Sequence, residues 1–159
     1  MVQVRRAVHR DAEAIARLTA EAAAEIGALT ALDVDRIRAH AFGGNALFEA
    51  WVAEERHGKP PCGHAIVTRS YDIRRGCPVM VLSELYVRPD QRRAGVARLL
   101  MSAIARRAVD LGARELTITT GVDNAVAQRF FAAIGASLRE AAVFVMPADG
   151  LQWLATEGL

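Results

Sequence analysis

The chain has 159 residues, 52% of them apolar, and a formal net charge of only +2 at pH 7. This length suffices for one hydrophobic core, and without an internal repeat or low-complexity linker we expect a single domain over residues 1–159. No apolar run approaches the length of a membrane span, and the amino terminus lacks the apolar block of a signal peptide. The sequence therefore predicts a cytoplasmic protein without a membrane partner.

Arginine supplies nearly all of the positive charge, because Lys59 is the sole lysine. Richness in arginine and alanine is typical of a GC-rich bacterial genome. The arginines are scattered rather than gathered on one helix face, so we expect no nucleic-acid partner. Neither the two cysteines, Cys62 and Cys77, nor the four histidines have metal-ligand spacing. We therefore expect free thiols and no metal site.

In the first half of the chain, some segments have the apolar periodicity of a strand and others that of a helix. Glycine- and proline-rich turns separate these segments. The glycines at 43 and 44 are the strongest break, and the three strands after them are expected to form an antiparallel meander. The predicted segments are strands over residues 2–8, 46–54, 63–71 and 79–87, a helix from Asp11 and a helix over about 32–42.

The second half begins with an amphipathic helix that starts at Gly95 and ends at Gly112. A strand over residues 115–120 should run parallel to the strand before this helix, because such crossovers are right-handed. A short helix from Asn124 to Ile134, which is expected to bury Val126, Ala127, Phe130 and Phe131, and a strand over residues 137–146 follow. The tail, 147–159, is expected to add an edge strand or a dimer contact.

Residues 79–95 carry the clearest functional signal, because an apolar strand, a proline, a basic loop and a helix start follow in that order. The first N–H groups of a helix lack internal partners and lie at the positive end of its dipole. Gly95 and Ala97 leave the backbone accessible, and Arg92 and Arg93 add positive charge. The stretch therefore predicts a phosphate-binding loop.

The same loop, Arg92-Arg93-Ala94-Gly95-Val96-Ala97, resembles the acyl-CoA-binding signature of the GNAT acetyltransferase superfamily: Arg or Gln, two residues, Gly, one residue, Gly or Ala. The strand ending at Val87 before Pro89 precedes it as in the family. Downstream, residues 124–136 contain asparagine, alanine, phenylalanine and glycine at the family spacing. The resemblance covers nearly the whole chain.

This resemblance implies an α/β (α+β) GNAT fold, with a mixed, mostly antiparallel sheet of about six or seven strands and about four flanking helices. Acetyl-CoA is implied as co-substrate, with its pantetheine arm paired to a splayed parallel strand and its diphosphate on the loop N–H groups. The cofactor-binding residues implied are Leu85, Tyr86, Val87, Arg92, Arg93, Ala94, Gly95, Val96, Ala97, Asn124 and Phe131.

Two of these residues have alternative interpretations. Asn124 matches the family asparagine near the pantetheine, yet a helix cap explains it nearly as well. Phe131 stands where the family commonly has a tyrosine that protonates the leaving sulfur, and phenylalanine cannot donate that proton. A thiol pKa near 8.5 makes the thiolate a tolerable leaving group unaided. Phe131 is then a core residue or packs against pantetheine, and Tyr71, Tyr86 or water replaces the donor.

Glu84 is the candidate catalytic base, because the family often has an acidic residue at this point of the central strand. A carboxylate with a pKa near 4 deprotonates an ammonium with a pKa near 10 only through a water relay or with a raised pKa. The alternative is a structural ion pair between Glu84 and an arginine. Under simple strand alternation Tyr86 lies on the same face as Glu84, where it binds substrate or packs.

The implied function is an N-acetyltransferase that moves an acetyl group from acetyl-CoA to a primary amine of a small molecule by direct attack in a ternary complex. Phe42-Gly43 and Tyr71-Asp72 are similar to the diamine acetyltransferase branch, although a pI of 8.8 argues mildly against a polycation acceptor. A homodimer is expected, as in many relatives. Alternatives are a non-catalytic acyl-CoA-binding or sensing module and acetylation of a protein amine.

Overall fold

The computed structural model of the protein describes residues 1–55 and 59–156. The chain divides into two compact units, Met1–Gly121 and Val122–Leu159. Part of the turn predicted before the third strand, and the last residues of the tail, lie outside the described residues. The single-domain assignment stays a prediction. None of the helices in the described ranges is both long and apolar enough to cross a membrane.

The first unit contains a five-stranded sheet whose spatial order follows the chain order. The first four strands pair antiparallel with their neighbours, and the fifth pairs parallel with the fourth. The predicted meander and parallel pair are therefore confirmed. The strands are β1 (Gln3–Arg6), β2 (Glu49–Glu54), β3 (Gly63–Asp72), β4 (Cys77–Val87) and β5 (Leu116–Ile118).

Three α-helices flank this sheet: α1 (Ala12–Glu25), α2 (Val34–His40) and α3 (Val96–Asp110). The α1 helix begins after a 3-10 turn at His9–Asp11, and a second such turn, Pro89–Gln91, precedes α3. Capping explains the start of α2, because the side chain of Asp33 accepts a hydrogen bond from the backbone N–H of Arg36 at 2.8 Å.

The helices cover opposite faces of the sheet. On one face, Ile15 of α1 and Ile37 of α2 join Val52 and Ile66 in a buried apolar cluster. On the other face, α3 reaches β2 through Arg107, which donates to Glu49 at 2.8 and 2.9 Å. Alternation along β2 places Glu49 and Val52 on opposite faces, so the two contacts define two layers around the sheet.

The pairing of β3 with β4 is interrupted by one extra residue. Ile66 lies opposite Glu84, but its neighbour Val67 lies opposite Leu82, so Ser83 is the unpaired residue of a β-bulge. Simple alternation would place Glu84 on the face of Leu82. The bulge transfers Glu84 to the other face, which α1 covers.

The second unit contains two helices, α4 (Ala125–Ala133) and α5 (Ala148–Thr156), and no strand among its residues 122–156. The described chain thus has five strands rather than six or seven, and five α-helices rather than about four. The strand predicted over residues 137–146 was wrong. An apolar run such as 141–146 forms a strand only beside a partner for its N–H and C=O groups, and the described residues of this unit contain no such partner strand.

The apolar side chains of this unit are also less buried than predicted. The sequence predicted that α4 buries Val126, Ala127, Phe130 and Phe131, but no residue of α4 or α5 is buried. Two short helices and an irregular segment are too small to enclose a core. The tail forms α5 instead of an edge strand, beginning after Pro147, whose carbonyl accepts from the Leu151 N–H at 3.0 Å.

A charge network joins the start of the chain to the sheet. Arg5 of β1 donates to Asp11 at 2.7 and 2.9 Å and to Glu54 of β2 at 3.1 Å. The buried Asp11 also accepts from the Val8 N–H at 2.8 Å. Burial alone raises the pKa of Asp11, but the hydrogen bonds from Arg5 and Val8 outweigh it, so the net pKa is lowered.

Removing this carboxylate should therefore destabilise the fold. We expect Asp11→Asn to cost about 3 kcal/mol at pH 7, because it leaves Arg5 and the helix entry without their anionic partner. A folded-state pKa below the unfolded value gives stability that is present above about pH 4 and lost at more acidic pH. Urea unfolding should show this difference at pH 7 and a smaller one at pH 3.

The matched control is Asp35→Asn, which removes an exposed carboxylate from α2. We expect it to change the free energy of unfolding by less than about 0.5 kcal/mol. Equal effects of the two substitutions would show that the Arg5 network contributes nothing specific.

Candidate active site

Glu84 lies on β4 directly after the bulge, with its side chain 28% exposed. In the register of the strands, Glu84 lies opposite Ile66 and Tyr86 lies opposite His64. Directly opposed residues point to one face of a sheet. Glu84, Tyr86 and His64 therefore share the face covered by α1, which confirms the predicted alignment of Glu84 with Tyr86.

The carboxylate of Glu84 is held by a buried histidine. Its Oε1 and Nε2 of His64 form a short hydrogen bond, and the His64 side chain is fully buried. The same Nε2 lies 3.4 Å from Oγ1 of Thr19 on α1. Within the described residues, Glu84 forms no ion pair with an arginine or lysine. The partner is an imidazole rather than the arginine of the alternative interpretation.

Tyr86 is bound to α1 rather than directed to Glu84. It is buried, and its hydroxyl donates to Oε1 of Glu25 at 3.1 Å. Burial, this hydrogen bond and the charge of Glu25 raise the pKa of Tyr86 to about 12, so the phenol stays protonated at neutral pH. Tyr71, the other tyrosine, is exposed and pairs with Pro78 at the opposite end of β4.

The predicted phosphate loop has an unusual backbone. Arg93 and Gly95 both have positive φ angles, 64° and 80°, and Gly95 is the N-cap of α3. A Cβ atom at Gly95 would meet nothing within 4 Å, so the glycine is required by its backbone conformation and not by crowding. No side chain caps α3 in the described residues. The N–H groups of its first turn are thus available to an anion.

Arg92 fixes this loop to its surroundings. Its Nε donates to the Val87 carbonyl at 2.8 Å, one Nη donates to both oxygens of Glu25 at 2.7 and 2.8 Å, and the guanidinium lies 5.6 Å from the Tyr86 ring centroid. The hydrogen bond from Arg92 lowers the pKa of Glu25. The guanidinium is therefore engaged by protein groups, and its contact with a phosphate stays a prediction.

The edge of β4 beside this loop is open towards β5. The parallel pairing covers Met80 to Leu82 of β4 only, whereas β4 continues to Val87 and stays paired with β3 along that length. Among the strands of the described residues, the backbones of Leu85, Tyr86 and Val87 therefore have a neighbour on one side alone. An extended ligand can pair with such an edge in the way an added strand does.

The two other predicted cofactor residues lie in the second unit. Asn124 is the N-cap of α4, where its Oδ1 accepts from the Ala127 N–H at 3.1 Å. Phe131 contacts Phe130 edge to face, with ring centroids 5.3 Å apart. The observed hydrogen bond of Asn124 is thus the one expected for a helix cap. The predicted contacts of both residues with the cofactor stay predictions.

Sequence reasoning missed His64 and Glu25, which contact predicted site residues, and Thr19, which contacts His64. Spacing cannot reveal these contacts, because His64 is 45 residues from Thr19 and Glu25 is 67 residues from Arg92. One local signal existed, since His64 is a polar residue within the apolar run of β3. The described residues contain no group of three His, Cys, Asp or Glu side chains that would hold a metal ion.

Known proteins are similar to this chain in sequence. The family model described as Acetyltransferase (GNAT) family matches residues 18–136. The chain is 32% identical over 85 residues to aminoglycoside N(6')-acetyltransferase type 1 of Salmonella typhimurium, covering 52% of this chain and 59% of that protein. It is 28% identical to thialysine N-epsilon-acetyltransferase of Bos taurus over 85% of this chain and 84% of that protein.

Solved structures share the fold. An integron cassette protein from V. cholerae has a TM-score of 0.80, with 24% identity and 98% of each chain covered. An aminoglycoside acetyltransferase from an uncultured soil metagenomic sample, in complex with sisomicin, has a TM-score of 0.74, with 17% identity over 91% of this chain and 93% of that chain. The match to the family model extends over most of the sequence. The chain belongs to the acetyltransferase (GNAT) family.

Proposed function

We propose that the protein is an acetyl-CoA-dependent N-acetyltransferase that acts on a primary amine of a small cationic molecule. The observation that carries the proposal is the position of Glu84: a half-buried carboxylate, held by His64, on β4 just before the open edge at residues 85–87. A base at this point lies beside the place where an acyl donor would pair with the strand.

The site fits the co-substrate that the GNAT family uses. Acetyl-CoA would supply the activated acetyl group, with pantetheine along Leu85–Val87 and the diphosphate on the N–H groups of residues 93–97. The positive φ angles of Arg93 and Gly95 and the uncapped start of α3 suit such an anion. Arg92 would hold the loop in place while the backbone makes the contacts.

Glu84 would take a proton from the acceptor ammonium, directly or through one water. Its Oε1 is held by His64, which leaves Oε2 for this transfer. Tyr86, kept neutral by its raised pKa, would retain its hydroxyl proton, donate it in the hydrogen bond to Glu25 and thereby order the α1 side of the site. The substitution of phenylalanine at 131 leaves the departing sulfur without the tyrosine donor common in the family, so its proton would come from solvent.

The acceptor class rests on the curated relatives. One is named for acetylation of aminoglycosides and another for acetylation of thialysine, and both names describe primary amines on small molecules. The matched segment spans about three fifths of the aminoglycoside enzyme. The chain's own acceptor is therefore proposed as a small amine of this kind, and assembly as a homodimer is proposed from the resemblance alone.

The function is tested by release of free thiol from acetyl-CoA with a panel of aminoglycosides, thialysine, amino acids, polyamines and lysine peptides. We expect thermal stabilisation by acetyl-CoA and amine-dependent thiol release with at least one small cationic acceptor. Turnover on lysine peptides alone would assign a protein amine as acceptor. Stabilisation without turnover on any acceptor would favour a non-catalytic acyl-CoA-binding module.

A negative charge introduced at the start of α3 tests whether the loop binds the diphosphate. We expect Gly95→Glu to weaken CoA binding at least about tenfold, because it places an anion where the diphosphate meets the helix N-terminus. The matched control is Gly76→Glu in the β3–β4 turn, whose φ of 62° and open surroundings impose the same backbone strain. Titration calorimetry with CoA measures both, and equal affinities in the two variants would remove the loop from the proposed site.

Removing the carboxylate charge tests the base. We expect Glu84→Gln to lower turnover by about 10²–10⁴-fold while leaving the Kd for acetyl-CoA unchanged. Glu13→Gln serves as the control, since Glu13 is an exposed carboxylate on α1 that pairs with Arg38. Steady-state kinetics across pH measures turnover, and calorimetry measures the Kd for acetyl-CoA, so the two effects are separated. Unchanged turnover in Glu84→Gln would exclude Glu84 from proton transfer.

A further inference from the structure

We infer that His64 is the positioning residue of Glu84: its Nε2–H holds one carboxylate oxygen and leaves the other for the acceptor. The inference rests on the proposed function. Its basis is the hydrogen bond between Nε2 of His64 and Oε1 of Glu84, formed by a side chain with no exposed surface. Glu84 itself is partly exposed, so the pair joins a buried anchor to an accessible carboxylate.

The groups around the imidazole identify its role. From β4 it meets Glu84, to which it is hydrogen-bonded, and Tyr86, whose ring centroid lies 6.3 Å away. From α1 it meets the hydroxyl of Thr19 at 3.4 Å, and on β2 its paired neighbour is the buried Val52. Glu25 of α1 is engaged by Tyr86 and Arg92. Of these four neighbours of the ring, Thr19, Val52 and Tyr86 are neutral, and Glu84 is the acidic one.

The hydrogen-bond partners of the two ring nitrogens of His64 favour one tautomer. His64 Nδ1 is buried and has no hydrogen-bond partner among the residues described. A proton on Nδ1, in the other tautomer or in the cation, would be a buried donor without an acceptor among the described residues, which is unfavourable. A bare Nδ1 with the proton on Nε2 avoids that donor and gives the carboxylate its hydrogen bond. The neutral Nε2–H tautomer is therefore the one that fits.

This tautomer also excludes His64 as the destination of the substrate proton. Nε2 already carries its hydrogen, and Nδ1, the nitrogen with a free lone pair, is sealed from solvent and from Glu84. A proton taken from the acceptor therefore stays on Glu84 until solvent removes it. His64 acts by fixing the orientation of the carboxylate.

Three substitutions separate this role from simple packing. His64→Gln keeps an N–H donor near the position of Nε2, His64→Asn places its amide near Nδ1, and His64→Leu removes the donor. We expect His64→Leu and His64→Asn to lower kcat about 10- to 100-fold with an unchanged KM for acetyl-CoA. His64→Gln should restore most of kcat. Thermal unfolding of each variant checks that the fold is intact.

A double-mutant cycle with Glu84→Gln supplies the decisive comparison. If His64 acts through the carboxylate, His64→Leu in the Glu84→Gln background should lower kcat by no more than about twofold further. Independent losses that multiply in the double variant, or a His64→Gln enzyme as slow as His64→Leu, would overturn the inference. Absence of turnover in the unmodified protein would instead refute the proposed function.

A second readout needs no acceptor. Long-range ¹H–¹⁵N spectra of histidine at pH 7, assigned by comparison with His64→Gln, should show a protonated Nε2 and a bare Nδ1. The Glu84→Gln variant should shift the Nε2 signal, because the hydrogen bond loses its charged acceptor. A proton on Nδ1 would overturn the inference even in an active enzyme.

Discussion

The candidate site depends on one extra residue in the pairing of β3 with β4. These two strands are the longest in the sheet, and Ser83 shifts their register between Leu82 and Glu84. Since side chains alternate along a strand, one inserted residue exchanges the faces of all that follow. Without it Glu84 would share a face with the buried Leu82 on the α3 side. With it Glu84 faces α1, beside His64 and before the open strand edge. The site therefore results from a local irregularity in an otherwise regular ladder.

The acidic groups of the first unit have two different kinds of partner. Asp11 and Glu49 are buried and saturated by arginines, and their pKa values are lowered although burial alone would raise them. A carboxylate held in this way is locked in its charged form and unavailable to a substrate. Glu84 is partly exposed, and within the described part of the chain an imidazole holds one of its oxygens. This contrast separates Asp11 and Glu49, whose partners are arginines, from Glu84, the carboxylate proposed for proton transfer.

The sequence predicted the elements whose signals are local. Period-two alternation with glycine turns located β2, β3 and β4, and three-and-four spacing after Gly95 located α3. It failed for residues 137–146, which end in the apolar run 141–146 but have no strand partner among the described residues of the second unit. It also missed His64, because the contact with Glu84 joins residues 20 apart across a bulge that no propensity signals. The strands and the helix around the candidate site were thus predictable from residue types, whereas the hydrogen bond that holds Glu84 could be found only from the strand register.

Arg92 connects the two sides of the candidate site. Its position in the loop suggests a phosphate ligand, yet its guanidinium binds Glu25 at the end of α1 and the Val87 carbonyl at the end of β4. Tyr86 completes this arrangement through its own hydrogen bond to Glu25. The helix that covers Glu84 and the loop proposed for the diphosphate are therefore tied through the same carboxylate. Because Arg92 is held by these contacts, it fixes the loop against β4 and the end of α1, while no side chain caps the first N–H groups of α3 in the described residues.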